Sequence, residues 1–351
     1  MKTSNKFLFM YVLVILFSFH FSTYSFAADG FKGYAVYRDG AILENWHTGI
    51  MSNSHPKKNN PVIHAGEGGN TNNTVRYGKW DSFVPGSKNF KGFYCPNSGI
   101  PDLYVNSIVS VAYAMTLENI LYTPLKQLDY TSTNNMFVHP GEITHSRCDG
   151  VVEYSYELND IRIYGNDDYW DISKRGSQNK KHHSGIKITP KKQASVYMTR
   201  WEPKNKVVYM VNQQTGKGLD VCGPSASDGA IIQQWEYLGA SNQKFLVNYS
   251  LNGNYYSFIP LNALGSAVEV QNNLNLTGTE IQIWTRPIGG FLDSQKFRLE
   301  ENSKGAYKFL SYGSNYEKVL RVSSDSSDNG IPIKLWNDTG SKYQFWFLIP
   351  A

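Results

Sequence analysis

The chain has 351 residues, 41% of them hydrophobic and 18% charged, with a formal net charge of +5. That length allows two domains, each able to bury a core. The charge is too small to mark a nucleic-acid binder by itself.

Residues 1–27 come first. Lys2 and Lys6 precede an apolar run from Phe7 to Phe19, and Ser25-Phe26-Ala27 supplies small residues at cleavage spacing. This is the pattern of a secretory signal peptide cut after Ala27. The run falls short of the roughly 20 apolar residues that span a bilayer. The mature chain is expected to be secreted, with no transmembrane segment.

Residues 28–200 show no repeat. "GYAVYRDGAIL" reads as a strand, an Asp39-Gly40 turn and a second run. "NWHTGIM" and "PVIHAGE" follow as short strands around His47 and His64. "DLYVNSIVSVAYAMTLENI" has helical spacing, with Asp102 as a cap and Val105, Ile108, Val109, Ala112 and Met115 on one face. Strands followed by helices imply an α+β layer.

"SRCDGVVEYSYE" begins the next helix. Ser146 and Asp149 have capping-box spacing, which makes Ser146 the N-cap and puts Cys148 in the first turn. Unpaired N–H groups and the helix dipole favour a thiolate there. Val151, Val152 and Ser155 share the face of Cys148, which should turn inward to the sheet. Gly150 is costly in a helix and implies close approach of another backbone. A cysteine nucleophile needs a base and an orienting group. His47 is the candidate base, Gly49 leaves room beside it, and His64 is the candidate orienting residue, with Glu67 as its alternative. Cys95 and Cys222 form a potential disulfide pair that the sequence alone does not test. The stretch from Lys174 to Lys192 is rich in positive charge and reads as an exposed loop, or as a surface for anionic polymers. No metal-ligand spacing and no cofactor motif is present.

From residue 205 to 351 the chain repeats itself three times, marked by Trp235, Trp284 and Trp336 about every 50 residues. Short apolar alternation broken by Gly, Asn, Asp and Ser in each copy implies short strands joined by turns, closed around a pseudo-threefold axis.

These copies resemble the ricin-B-type lectin β-trefoil family. Its Gln-x-Trp motif stands as Gln233-Gln234-Trp235 and Gln282-Ile283-Trp284, degraded to Lys334-Leu335-Trp336. Gln-x-aromatic recurs at Gln243-Phe245, Gln295-Phe297 and Gln344-Trp346. Most of these residues are expected to hold the trefoil together. The resemblance implies a carbohydrate site in copy one from Asp220, Trp235, Asn242 and Gln243. It implies a second from Glu269, Trp284 and Gln295, where Ser294 replaces the Asn. In copy three Arg321 and Tyr343 replace the acid and the Asn, so no site is expected.

The N-terminal half, through "WHTGIM", His64 and "RCDGVVEYSYE", resembles the circularly permuted NlpC-type papain-like cysteine hydrolases. That resemblance implies an α+β papain-like domain with Cys148 as nucleophile, His47 as base and His64 as orienting residue, acting on peptide, amide or ester substrates through an acyl-cysteine. The combined expectation is a secreted cysteine peptidase or amidase of cell-wall peptide, targeted by an all-β trefoil to carbohydrate on a cell wall or cell surface, without nucleic acid as a partner. Two alternatives stand beside it: an acyltransferase or esterase effector, and a secreted lectin with no enzymatic activity.

Overall fold

The computed structural model describes residues 30–40, 46–66, 74–131, 135–165, 168–176 and 188–351. The expected signal peptide, the second run of the first hairpin (Ala41 to Leu43), Glu67 and most of the basic stretch fall outside these residues.

The N-terminal half is built on a six-stranded antiparallel sheet. Its strands are β1 (Ala35–Asp39), β2 (Trp46–Met51), β3 (Val62–Ala65), β4 (Val75–Gly78), β5 (Phe90–Pro96) and β9 (Met198–Arg200), ordered β4-β3-β2-β1-β5-β9. Side chains alternate across a strand, so each strand feeds two faces. Ala35, Tyr37, Ile50, Ile63 and Ala65 enter one buried cluster, which holds residues of helices α2 (Asp102–Leu117) and α3 (Cys148–Glu157). Val36, Met51, Val62 and Phe93 enter another, with Phe83 and the C-terminal half. Both faces are apolar because both are covered. A small sheet of β6 (Leu121–Tyr122), β7 (Leu128–Tyr130) and β8 (Ile143–Ser146) leads into α3, and α4 (Pro190–Tyr197) leads into β9.

Helix α2 buries Ile108, Ala112 and Met115, the face expected from their spacing, although its N-cap is Pro101 and not Asp102. In α3 every residue from Cys148 to Glu157 is buried. Its start also differs from expectation. Arg147 is the N-cap, Cys148 the first helical residue, and no side chain caps the helix. Ser146 Oγ instead donates to Gln127 O at 3.2 Å and to Arg147 O at 2.9 Å. Asp149 is engaged by Arg147 at 2.6 Å, a buried ion pair that outcompetes the capping box. The glycine is explained: a Cβ on Gly150 would collide with the carbonyl oxygen of Gln127.

The C-terminal half has twelve strands, β10 to β21, between Val207 and Pro350. Six of them pair into a closed ring: β10 (Val207–Asn212), β13 (Phe245–Ser250), β14 (Tyr255–Pro260), β17 (Phe297–Glu301), β18 (Tyr307–Ser311) and β21 (Trp346–Pro350), with β21 returning to β10. The other six form three hairpins: β11 (Gly218–Val221) with β12 (Ile232–Trp235), β15 (Ser266–Val270) with β16 (Ile281–Thr285), and β19 (Lys318–Val322) with β20 (Ile331–Asn337). One hairpin per repeat on a closed six-stranded barrel is the threefold arrangement the repeats predict. Closure leaves the barrel no edge. Phe245, Phe297 and Trp346 are at most 1% exposed, so the Gln-x-aromatic motif supplies the barrel core.

The halves share one core. Trp80 in α1 (Trp80–Phe83) meets Phe347 edge-on at 6.1 Å and donates through Nε1 to Lys304 O at 3.2 Å. Phe90 N donates to Ser303 O at 2.9 Å, and Arg200 pairs with Glu301 at 2.9 Å. Among the described residues no helix is long and apolar enough to cross a membrane.

Candidate functional site

The two histidines expected beside Cys148 meet each other. His47 Nε2 lies 3.0 Å from His64 Nδ1, with the rings edge to face at 5.1 Å. Gly49 makes this contact feasible, since a Cβ there would strike His64 Cβ and Ile63 O. Phe83 packs on both rings, at 5.5 and 5.3 Å. Burial holds His64 well below the usual imidazole range, and the charges of His47, Arg76 and Arg38 add to it.

The sulfur is elsewhere. His47 and Arg38 are cross-strand partners, and both lie against Phe83 on the face that looks to the C-terminal half. Cys148 is 2% exposed and belongs to the cluster on the other face, with Tyr37, Ile50 and Ile63. Tyr37 pairs with Thr48, one residue out of phase with His47. The period-2 alternation of β2 and β3 therefore puts the imidazoles and the thiol on opposite sides of the sheet. The expected relay of Cys148, His47 and His64 is corrected to a His47–His64 pair and a separate buried cysteine. Cys95 and Cys222 are free thiols, so they form no disulfide. Among the described residues, no three His, Cys, Asp or Glu side chains cluster as metal ligands.

The hairpin of the first repeat gathers the residues expected to bind sugar. Asp220 is the cross-strand partner of Gln233, and Gly218 that of Trp235, so Asp220, Gln233 and Trp235 share one face. Asp220 Oδ1 accepts from Gln233 Nε2 at 2.8 Å, and Oδ2 accepts from Asn242 Nδ2 at 2.9 Å. Burial pushes the Asp220 carboxyl up, against the amides of Gln233, Gln243 and Asn242, which pull it down. Trp235 is 37% exposed, and so is not the core residue that the Gln-x-Trp motif leaves open.

The second repeat reproduces this. Glu269 accepts from Gln282 Nε2 at 2.8 Å and from Ser294 Oγ at 3.0 Å, and Trp284 is 40% exposed. Ser294 thus does part of the work of Asn242. In the third repeat Arg321 and Lys334 are cross-strand partners at the acid and amide positions. Arg321 lies over the faces of Trp336 and Tyr343 and pairs with Asp325.

Gln243 and Gln295 also have the structural task expected of most motif residues. Gln243 accepts from Leu238 N at 2.7 Å and donates to Glu236 O at 2.8 Å, fixing the loop after the hairpin. Gln295 does the same with Leu292 N and Trp284 O. Gln344 does so with Thr339 N and Asn337 O in the repeat that lacks the acid. These glutamines hold the repeat together. At Asp220 the amide of Gln233 joins those of Asn242 and Gln243, and at Glu269 stands Gln282; Gln233 and Gln282 each lie 13 residues after their carboxylate. That shared interval was the sequence signal for them.

Residues 197–284 match the family described as ricin-type beta-trefoil lectin domain-like. The barrel half is a ricin-type β-trefoil lectin-like domain. Among solved structures, the designed threefold-symmetric protein ThreeFoil is 30% identical to the lectin-like domain, with a TM-score of 0.38, over 41% of this chain and 99% of its own. An exo-beta-1,3-galactanase from Clostridium thermocellum is 26% identical, with a TM-score of 0.39, over 45% of this chain and 33% of its own. A ricin B-like lectin of Macrolepiota procera, solved in complex with lactose, is 16% identical, with a TM-score of 0.36, over 43% and 98%. No curated protein matches the chain significantly.

Proposed function

We propose that this protein binds carbohydrate through the hairpin face of its first repeat, with the second repeat as a weaker copy. The observation that carries this is the carboxylate of Asp220, held by Gln233 and Asn242 beside the half-exposed ring of Trp235. A carboxylate oxygen that accepts one amide hydrogen keeps a lone pair for a sugar hydroxyl. Charge-assisted bonds of this kind are the strong ones. The indole face packs on the C–H side of the sugar ring, and burial of the acid strengthens its pull on the hydroxyl.

The third repeat lacks an acceptor, since Arg321 and Lys334 only donate. Two binding repeats on one rigid barrel favour a ligand that repeats along a surface, through effective concentration. With the secretory leader expected from residues 1–27, the ligand is an extracellular glycan. A hydrolytic step at Cys148 draws no support from His47 or His64, which lie on the other face of the sheet.

The test is surface plasmon resonance of the full chain against immobilised neutral oligosaccharides. Asp220→Ala should weaken the best binder about 10- to 100-fold, the worth of one charged hydrogen bond. Arg321→Ala should leave it unchanged. A reversed ranking would overturn the reading.

A further inference from the structure

A second polar recess lies where the two domains meet, away from the Asp220 face. It is a groove of about 570 Å³, with Lys57, Lys58 and Lys79 on the N-terminal side and Lys342 on the lectin-like side. Among the described residues Asp81 is the only carboxylate on its wall. A smaller hollow of about 460 Å³ shares Asn60, Lys79 and Ser82 with it and adds Arg38 and Arg76. The two recesses thus form one track with cations along its length.

The lysines are set against one another. Partial burial lowers the pKa of the Lys57 ammonium; Asp81 opposes this and Lys342 adds to it. Lys304 is lowered in the same way, again between Asp81 and Lys342. On the wall itself Lys57 and Lys342 repel each other beside the single carboxylate of Asp81, and a bound anion relieves that repulsion.

We infer that this interdomain groove binds a glycan carrying tetrahedral oxyanions, phosphate or sulfate, with the anionic groups between Lys57, Lys79 and Lys342. The polar wall favours sugar over nucleic acid. Asn59, Asn60, Gln213 and Gln214 offer amides that match hydroxyls, donor to acceptor. Trp80 is only 6% exposed and seals the floor against Phe347, so it presents no open face for base stacking. The volume lies in the range of small-ligand sites. Because each domain supplies one wall, the site exists only when the two are packed together.

The test is titration of the full chain at low and physiological salt with three probes: a heparin-derived sulfated hexasaccharide, a phosphorylated mannopentaose and a single-stranded DNA hexamer. One or both glycans should bind more tightly than the DNA, and the tighter one identifies the anionic group. Binding should weaken with salt, since exposed charges are screened. Lys57→Gln/Lys342→Gln should weaken it at least about tenfold with unchanged melting, because side-chain charge on this wall sets the attraction. Asp220→Ala should leave it intact, which separates this site from the hairpin site. Failure of both glycans to bind, or DNA binding as tightly as the glycans, would overturn the inference. So would full binding by the double variant, or a loss seen only with Lys191→Gln/Lys192→Gln.

Discussion

His47 Nε2 and His64 Nδ1 lie 3.0 Å apart on the sheet face turned away from α3. The pair shares a hydrogen bond under Phe83, and the sheet separates it from the sulfur of Cys148. An imidazole that does not reach a thiol does not set its ionisation. In a Cys95→Ser/Cys222→Ser background, His47→Gln should change the rate of Cys148 alkylation by less than about twofold at any pH that leaves the protein folded. A tenfold fall, with the pH profile moving, would restore the relay.

His55 is 6% exposed and lies against Tyr209 at the domain junction. Burial, with Lys58 and Lys57 adding like charge, pushes its pKa down to about 3. Above the ordinary imidazole value both folded and unfolded states are neutral there. Below it the unfolded chain takes up a proton that the folded chain refuses, so stability falls as pH drops from about 6.5 towards 3. Each unit of that window is worth about 1.4 kcal/mol. The raised carboxyl of Glu157 acts in the opposite sense, identically in any His55 variant. Urea unfolding at about pH 7 and about pH 4.5 should show a smaller acid loss in His55→Gln than in wild type. Equal losses would mean that His55 titrates freely.

Gly150→Ala places a methyl group on the Gln127 carbonyl, which is backbone and has no room to yield. The start of α3 must shift, and the Arg147–Asp149 pair and Cys148 shift with it. A loss of about 3 kcal/mol or more is expected, at the upper end for overpacking. Chemical denaturation reads this directly, and a loss below about 1 kcal/mol would contradict the close approach.

Trp80 joins the domains through Phe347 and Lys304 O. A core this continuous should unfold in one calorimetric transition. Trp80→Ala should cost about 3–5 kcal/mol and split the transition in two, with the lectin-like domain melting later. Two transitions in the wild type would show that the junction contributes little.

The barrel was legible because Trp235, Trp284 and Trp336 recur in phase, and turn residues punctuate each copy. The structural use of most motif glutamines was legible too, while the bonds of Gln233 and Gln282 to the acids were marked only by a shared 13-residue interval. The strands around His47 and His64 were equally legible, but the face was not. Apolar residues occupy both phases of β1 and β2, Val36 beside Tyr37 and Met51 beside Ile50, because helices cover one side and the trefoil the other. Which side receives α3 is decided by packing far along the chain. The N-cap of α3 was missed for a local reason: Asp149 is committed to Arg147. Each case is a short-range pattern overruled by a partner distant in sequence or by a stronger charge nearby.

Sugar binding turns above all on the acid of the first hairpin. Calorimetric titration with the oligosaccharide that binds best should give a strong and a weak site in wild type. Asp220→Ala should leave only the weak one, and Asp220→Ala/Glu269→Ala none, with the fold intact by circular dichroism. Undiminished affinity in the double variant would contradict the central claim, because the sugar would then be held by residues outside both hairpins.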